Sequence, residues 1–136
     1  MRRNVYALLL AATLAMPAFA QDSRNTGIQK TITDQIDALR ADDFARAFSF
    51  ASPTIKALFL TPENFGAMVQ NGYPMVADPS AVRMLGLRDV AGGLWQRVMV
   101  TDREGRTFML DYQMVEAPDG WQINAVHLLP EAGVGA

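Results

Sequence analysis

At Gly72 the hydrophobic period of this chain changes from near four to two, and few architectures accommodate such a switch. Upstream, Ile28, Ile32, Ile36 and Leu39 recur at intervals of four, four and three, which is one stripe of an amphipathic helix. Downstream, Leu94–Thr101, Arg106–Glu116 and Trp121–Leu129 are rich in Val, Met, Ile and aromatic residues and alternate as strands do; Ala81–Val90 alternates less regularly and reads as a fourth. Helices gathered at one end and strands at the other predict an α+β domain, with N-terminal helices packed on a curved antiparallel sheet of about four strands.

Local signals place the breaks. Asp42-Asp43 ends or caps the long helix, and Phe44, Ala47 and Phe48 open a second apolar face. Ser52-Pro53 and Thr61-Pro62 each put an N-capping hydroxyl before a proline at the first helical position, where the missing N–H costs nothing. The second of these helices runs to about Asn71, burying Phe65, Met68 and Val69, and Gly72 closes it. Tyr73-Pro74-Met75-Val76 reads as an extended or turning connection, because a residue before proline avoids the helical region. Gly92-Gly93, Asp102–Gly105 and Ala117–Gly120 are turns, and connections this short specify an antiparallel meander. Residues 28–130 thus form a single domain, preceded by a flexible lead-in at 21–27 and followed by a frayed tail at 131–136.

Residues 1–20 have a different character. Arg2-Arg3, an apolar run from Val5 to Leu14 and Ala18-Phe19-Ala20 form the n-region, h-region and cleavage site of a signal peptide. Cleavage near Ala20-Gln21 would deliver the remainder to the periplasm or outside the cell. The removed segment takes two arginines, leaving ten basic against fourteen acidic residues. An acidic surface without a Lys/Arg cluster argues against nucleic acid as a partner, and no apolar run suits a membrane span after signal removal. The chain has no cysteine and one histidine, His127, so thiol chemistry and imidazole-rich zinc sites are excluded. No phosphate-cradling glycine loop or calcium loop is present, and the scattered methionines suit core filling better than a copper site. The residues nominate no catalytic set, no cofactor and no metal.

Particular residues carry a resemblance. Gln35-Ile36, Asp42-Asp43, Ala47-Phe48, Ala51-Ser52-Pro53-Thr54-Ile55, Phe65, Met68-Val69, Gly72-Tyr73-Pro74, the run Asp119 to Asn124 and Leu128-Leu129-Pro130 are similar to the bacterial domain of unknown function numbered 4864. The resemblance covers Ile32 to Pro130. It implies the cone-shaped fold of the nuclear transport factor 2-like (cystatin-like) superfamily, in which helices wrap a curved sheet and often leave a pocket. It implies no activity. Where that family tends to have glycine and cysteine after its tryptophan segment, this chain has Ala125 and Val126, so no thiol role carries over.

Two hairpins organise the candidate site. With Arg103-Glu104-Gly105 as a three-residue loop, Met99 faces Met109, Trp95 faces Gln113, and Arg97 faces Asp111 as a cross-strand polar pair. The second hairpin leaves two registers open. A three-residue loop puts His127 opposite Asp111, assembling Arg97, Asp111 and His127 on one face. A four-residue loop, the preferred reading because it gathers Trp121 and Ile123 with the strongest apolar row, puts His127 opposite Leu110. Tyr73, Tyr112, Trp121 and His127 are the candidate pocket residues, since each joins an apolar body to a polar handle. Trp95, Met99, Met109 and Val126 are a candidate interface on the second sheet face, suited to a homodimer packed sheet to sheet. The functional expectation is an exported, non-catalytic binding or interaction domain holding a small apolar molecule between helices and sheet. The alternatives are a small proton-transfer or hydrolytic enzyme using His127 or Asp111, and a protein–protein interaction module with no ligand.

Overall fold

The computed structural model describes residues 18–130. The signal reading up to residue 17 and the tail at 131–136 lie outside the described residues. Helix α1 (Ala18–Arg40) carries the anticipated stripe: Ile28, Ile32, Ile36 and Leu39 are all buried against the rest of the domain. Each such side chain contributes about 1.5–3 kcal/mol by leaving water. The flexible lead-in expected at 21–27 is instead part of this helix. No proline follows Pro17 in this stretch, so a helix nucleated by the packed stripe extends back through it at little cost. At its other end Arg40 donates Nε and Nη2 to the carbonyl of Pro79, fastening α1 beside the start of the sheet.

Four short helices follow, and their caps explain their starts. α2 (Phe44–Ser49) begins where the Asp43 carboxylate accepts from the backbone N–H of Arg46. α3 (Pro53–Phe59) is capped by Ser52 and α4 (Pro62–Gly72) by Thr61, each with proline in the first turn. α5 (Pro74–Ala77) corrects the sequence reading, which took Tyr73–Val76 as extended or turning. Tyr73 itself stays outside the helical region at φ −135°, ψ 56°, as a residue before proline must. Pro74 then presets the next φ, and the N–H groups of Val76 and Ala77 both donate to the Tyr73 carbonyl, closing one turn.

The strands β1 (Ala81–Val90), β2 (Gly93–Thr101), β3 (Thr107–Ala117) and β4 (Gly120–Leu128) form one open antiparallel sheet in chain order, so the architecture is α+β. The first turn falls on Ala91-Gly92, one residue before the glycine pair the sequence suggested. At the second, Gly105 takes φ +83° and Asp102 pairs with Arg106, giving the register that sets Arg97 against Asp111 and Met99 against Met109. Val98, Val100, Leu110 and Tyr112, at even-numbered positions of β2 and β3, face the helices and are fully buried.

The β3–β4 hairpin contains both registers considered above. Near the turn, Trp121 pairs with Glu116 and Ile123 with Met114, as the four-residue loop requires. A bulge at Gln113/Met114 then shifts the ladder, so Ala125 pairs with Gln113, Val126 with Tyr112, and His127 with Asp111. The preferred placement of His127 opposite Leu110 is therefore corrected, because an extra residue in one strand changes which side chains share a face. Asn124, the residue left over, is held at both ends of its amide. It accepts from Ser52 Oγ at 2.8 Å and donates to Gln113 Oε1 at 2.9 Å. The same Ser52 hydroxyl caps α3, so the bulge and the helix start share one hydrogen-bonded chain. A parallel bridge between Ala51 and Ile123 joins the α2–α3 connection to the edge of β4.

Candidate ligand-binding cleft

Between the short helices and the β3–β4 half of the sheet lies a cleft of about 260 Å³. Its sheet side comes from Tyr112, Ile123 and Val126, and its helical wall from Phe59, Phe65 and Met68. The wall follows from the cap at Thr61: a helix starting at Pro62 puts Phe65, Met68 and Val69 on one side, three and four residues apart. Phe65 is braced from both sides, its ring centroid 5.4 Å from that of Phe48 and 6.0 Å from that of Phe59. Leu58, 69% exposed, stands at the opening.

The polar side chains of this lining are few. Gln35, Tyr73, Tyr112 and Asn124 supply them, while His127 borders the cleft but turns its ring toward Trp95; no carboxylate, ammonium or guanidinium group is present among the lining residues. Gln35, buried within the α1 stripe, donates Nε2 to the carbonyl of Ala47 at 3.1 Å. Tyr73 donates its hydroxyl to the carbonyl of Val126 at 3.4 Å, and the Asn124 amide is engaged as described. Tyr112 is different. It is 0% exposed, and its hydroxyl has no hydrogen-bond partner. Burial, with the nearby Tyr73 adding to it, pushes the Tyr112 hydroxyl above its ordinary pKa, so it stays protonated and remains a donor.

One residue earlier in β3, Asp111 points to the other face of the sheet and meets the opposite circumstances. Arg97 donates Nε to Oδ1 at 2.9 Å and Nη2 to Oδ2 at 3.2 Å; Arg88 donates Nη2 to Oδ2 at 2.9 Å and Nη1 to Oδ1 at 3.3 Å. Burial alone would raise this carboxyl, but the hydrogen bonds and charges of Arg97 and Arg88 outweigh it and hold Asp111 below the usual aspartate pKa. Asp111 in turn raises Arg97 through their hydrogen bond. A carboxylate doubly engaged in this way is a poor general base. His127 sits directly across from it on β4, and its ring lies 4.9 Å from that of Trp95.

The structure thus distributes the sequence candidates over several places. Tyr73, Tyr112 and His127 line the cleft, whereas Trp121 is absent from its lining. Its indole instead lies against α1, where a Cβ on Gly27 would come within 2.9 Å of Cδ1. Trp121 stands at the hairpin end of β4, two residues before Ile123, where the strand first reaches the cleft. Arg97 and Asp111 form the anticipated pair, joined by Arg88, which the sequence reading missed. Arg88 reaches this position through an irregular β1 ladder, whose register shifts between Met84 and Leu87. Trp95, Met99 and Met109 share the outer face, but Val126 does not: it pairs with Tyr112, packs against the core and lines the cleft. Its placement on the interface is corrected, again because of the bulge. Gln35 and Asn124 were also missed as cleft residues, although Gln35 interrupts the apolar stripe between Ile32 and Ile36 and could have been singled out on that ground.

Among the described residues no group of three or more His, Asp or Glu side chains is placed to hold a metal ion, and no helix is long and apolar enough to cross a membrane. A family model for a domain of unknown function, DUF4864, matches residues 21–136. No curated protein matches the chain. No solved structure matches it either.

Proposed function

The chain belongs to the DUF4864 family, and from that premise we propose that it is an exported, non-catalytic binding domain that holds a small, largely apolar ligand in the cleft. The observation that carries this reading is the unpartnered Tyr112 hydroxyl at an apolar cleft. A buried hydroxyl without a partner costs about 1–3 kcal/mol, which a ligand atom meeting it would offset. A concave apolar lining with a few polar groups is what small-molecule sites have in common. The export half of the proposal rests on the charged, apolar and small-residue segments of residues 1–20, and the family match begins at residue 21, where cleavage is expected. Helices over one face of an open antiparallel sheet are compatible with the cystatin-like cone that the resemblance implies.

A second reading concerns the outer face, where Trp95, Met99 and Met109 are half-buried around the Asp111 cluster, and proposes a homodimer packed through that face. Sedimentation at micromolar concentration tests it: a dimer supports the reading and a monomer removes it. Asp111's engagement by two arginines weighs against the hydrolytic or proton-transfer alternative. Native mass spectrometry of protein recovered from its own exported fraction tests the binding proposal. A retained small molecule, lost on replacing cleft residues, is the expected result. Protein that stays empty and fails to take up any small apolar compound would contradict it.

A further inference from the structure

The cleft's chemistry also restricts which ligands it can hold. We infer that it selects an uncharged molecule whose apolar body carries a hydrogen-bond acceptor, a ketone or ester carbonyl, placed to receive the Tyr112 hydroxyl. This rests on the binding reading above and narrows it to a ligand class.

Three observations carry the inference. Tyr112 is the donor without a partner, whereas the Tyr73 hydroxyl, the Gln35 amide and the Asn124 amide already donate to protein oxygens. The unmet need is therefore an acceptor. No Lys or Arg lines the cleft and the His127 ring is turned toward Trp95, so an ionised carboxylate or phosphate entering it would lose hydration without gaining a counter-charge. The Tyr112 hydroxyl is itself held in its protonated form, so it offers a neutral dipole suited to a carbonyl oxygen. Size sets the third limit. An engineered apolar cavity of about 150 Å³ in another protein takes up benzene, and on that scale a 260 Å³ cleft admits a body of about ten non-hydrogen atoms.

Calorimetric titration at neutral pH with three matched compounds tests this: butyrophenone, butylbenzene, which lacks the carbonyl, and phenylbutyrate, which carries a full negative charge. The wild-type protein should bind butyrophenone about tenfold more tightly than butylbenzene, the scale of one net hydrogen bond, and phenylbutyrate more weakly than the ketone. In Tyr112→Phe the ketone should lose its advantage while butylbenzene affinity is kept, which also shows that the cleft remains folded. Equal wild-type affinities for ketone and hydrocarbon, a ketone preference that survives Tyr112→Phe, or preference for the anion would each overturn the ligand class while leaving an apolar cleft in place. Failure of all three compounds to bind would instead overturn the binding reading itself.

Discussion

Asp111 and Tyr112 are neighbours in β3, both nearly inaccessible to water, yet one is surrounded by partners and the other has none. Successive side chains of a strand point to opposite faces, so a single peptide bond separates two different environments. On the outer face, two guanidiniums saturate the Asp111 carboxylate with four hydrogen bonds. On the inner face, Tyr112 borders an apolar cleft and its buried hydroxyl has no partner. The difference separates structure from function. A buried polar group whose needs are met within the chain helps fix the fold, whereas one whose needs are unmet lowers stability and, where it borders a cleft, leaves a donor for a ligand to meet.

Substitutions at the two positions should therefore shift stability in opposite directions. The largest effect belongs to Asp111→Ala, which strands Arg88 and Arg97 together. Those side chains are 37% and 35% exposed and can rehydrate in part, so the expected loss is about 1–3 kcal/mol in urea unfolding, less than for a fully buried pair. A loss confined to a few tenths would make the cluster an ordinary surface feature.

Acid titration sharpens the same contrast. Asp111 has a folded pKa below its ordinary 3.8, so between those two values the unfolded chain binds more protons. Its stabilisation is complete above pH ~4 and is lost as pH falls through the folded value. Asp111→Asn should flatten the acid limb of the stability curve; an unchanged limb would show that other carboxylates dominate it.

Tyr112→Phe should give the reverse result at neutral pH: stability equal to wild type or greater by up to about 1 kcal/mol, since an unpaired hydroxyl is removed and ring packing is kept. A clear loss in thermal or urea unfolding would reveal a hydrogen bond that the cleft geometry does not provide. The smallest effect lies at high pH. The Tyr112 pKa is raised from 10.0, so the unfolded chain ionises first, and the stabilisation present below pH ~10 declines as pH climbs toward the folded value. The phenylalanine variant should lose less stability than wild type across that window, and parallel alkaline limbs would argue against burial of the hydroxyl.

Much of this contrast was legible in the residues, though unevenly. The Asp102–Gly105 turn has the length and the left-handed glycine that specify one register, so the pairing of Arg97 with Asp111 follows from local chemistry. The alternation of Leu110, Tyr112 and Met114 put Tyr112 on the core face by the same logic. Asn124 defeated that logic in β4. A polar residue between Ile123 and Ala125 gives no local sign of a bulge, and its stabilising contacts with Ser52 and Gln113 exist only after the helices dock. His127 and Val126 were misassigned for that one reason. The absence of a partner for Tyr112 was not legible at all, because it is a property of every neighbour at once.

The most direct measurement is a crystal structure of the protein saturated with butyrophenone. The ketone should lie between α4 and the sheet, its oxygen within hydrogen-bond distance of Tyr112 Oη and the Asp111 cluster unchanged on the other face. A ketone bound instead against Trp95 and Met99, with the Tyr112 hydroxyl still unpartnered, would contradict it.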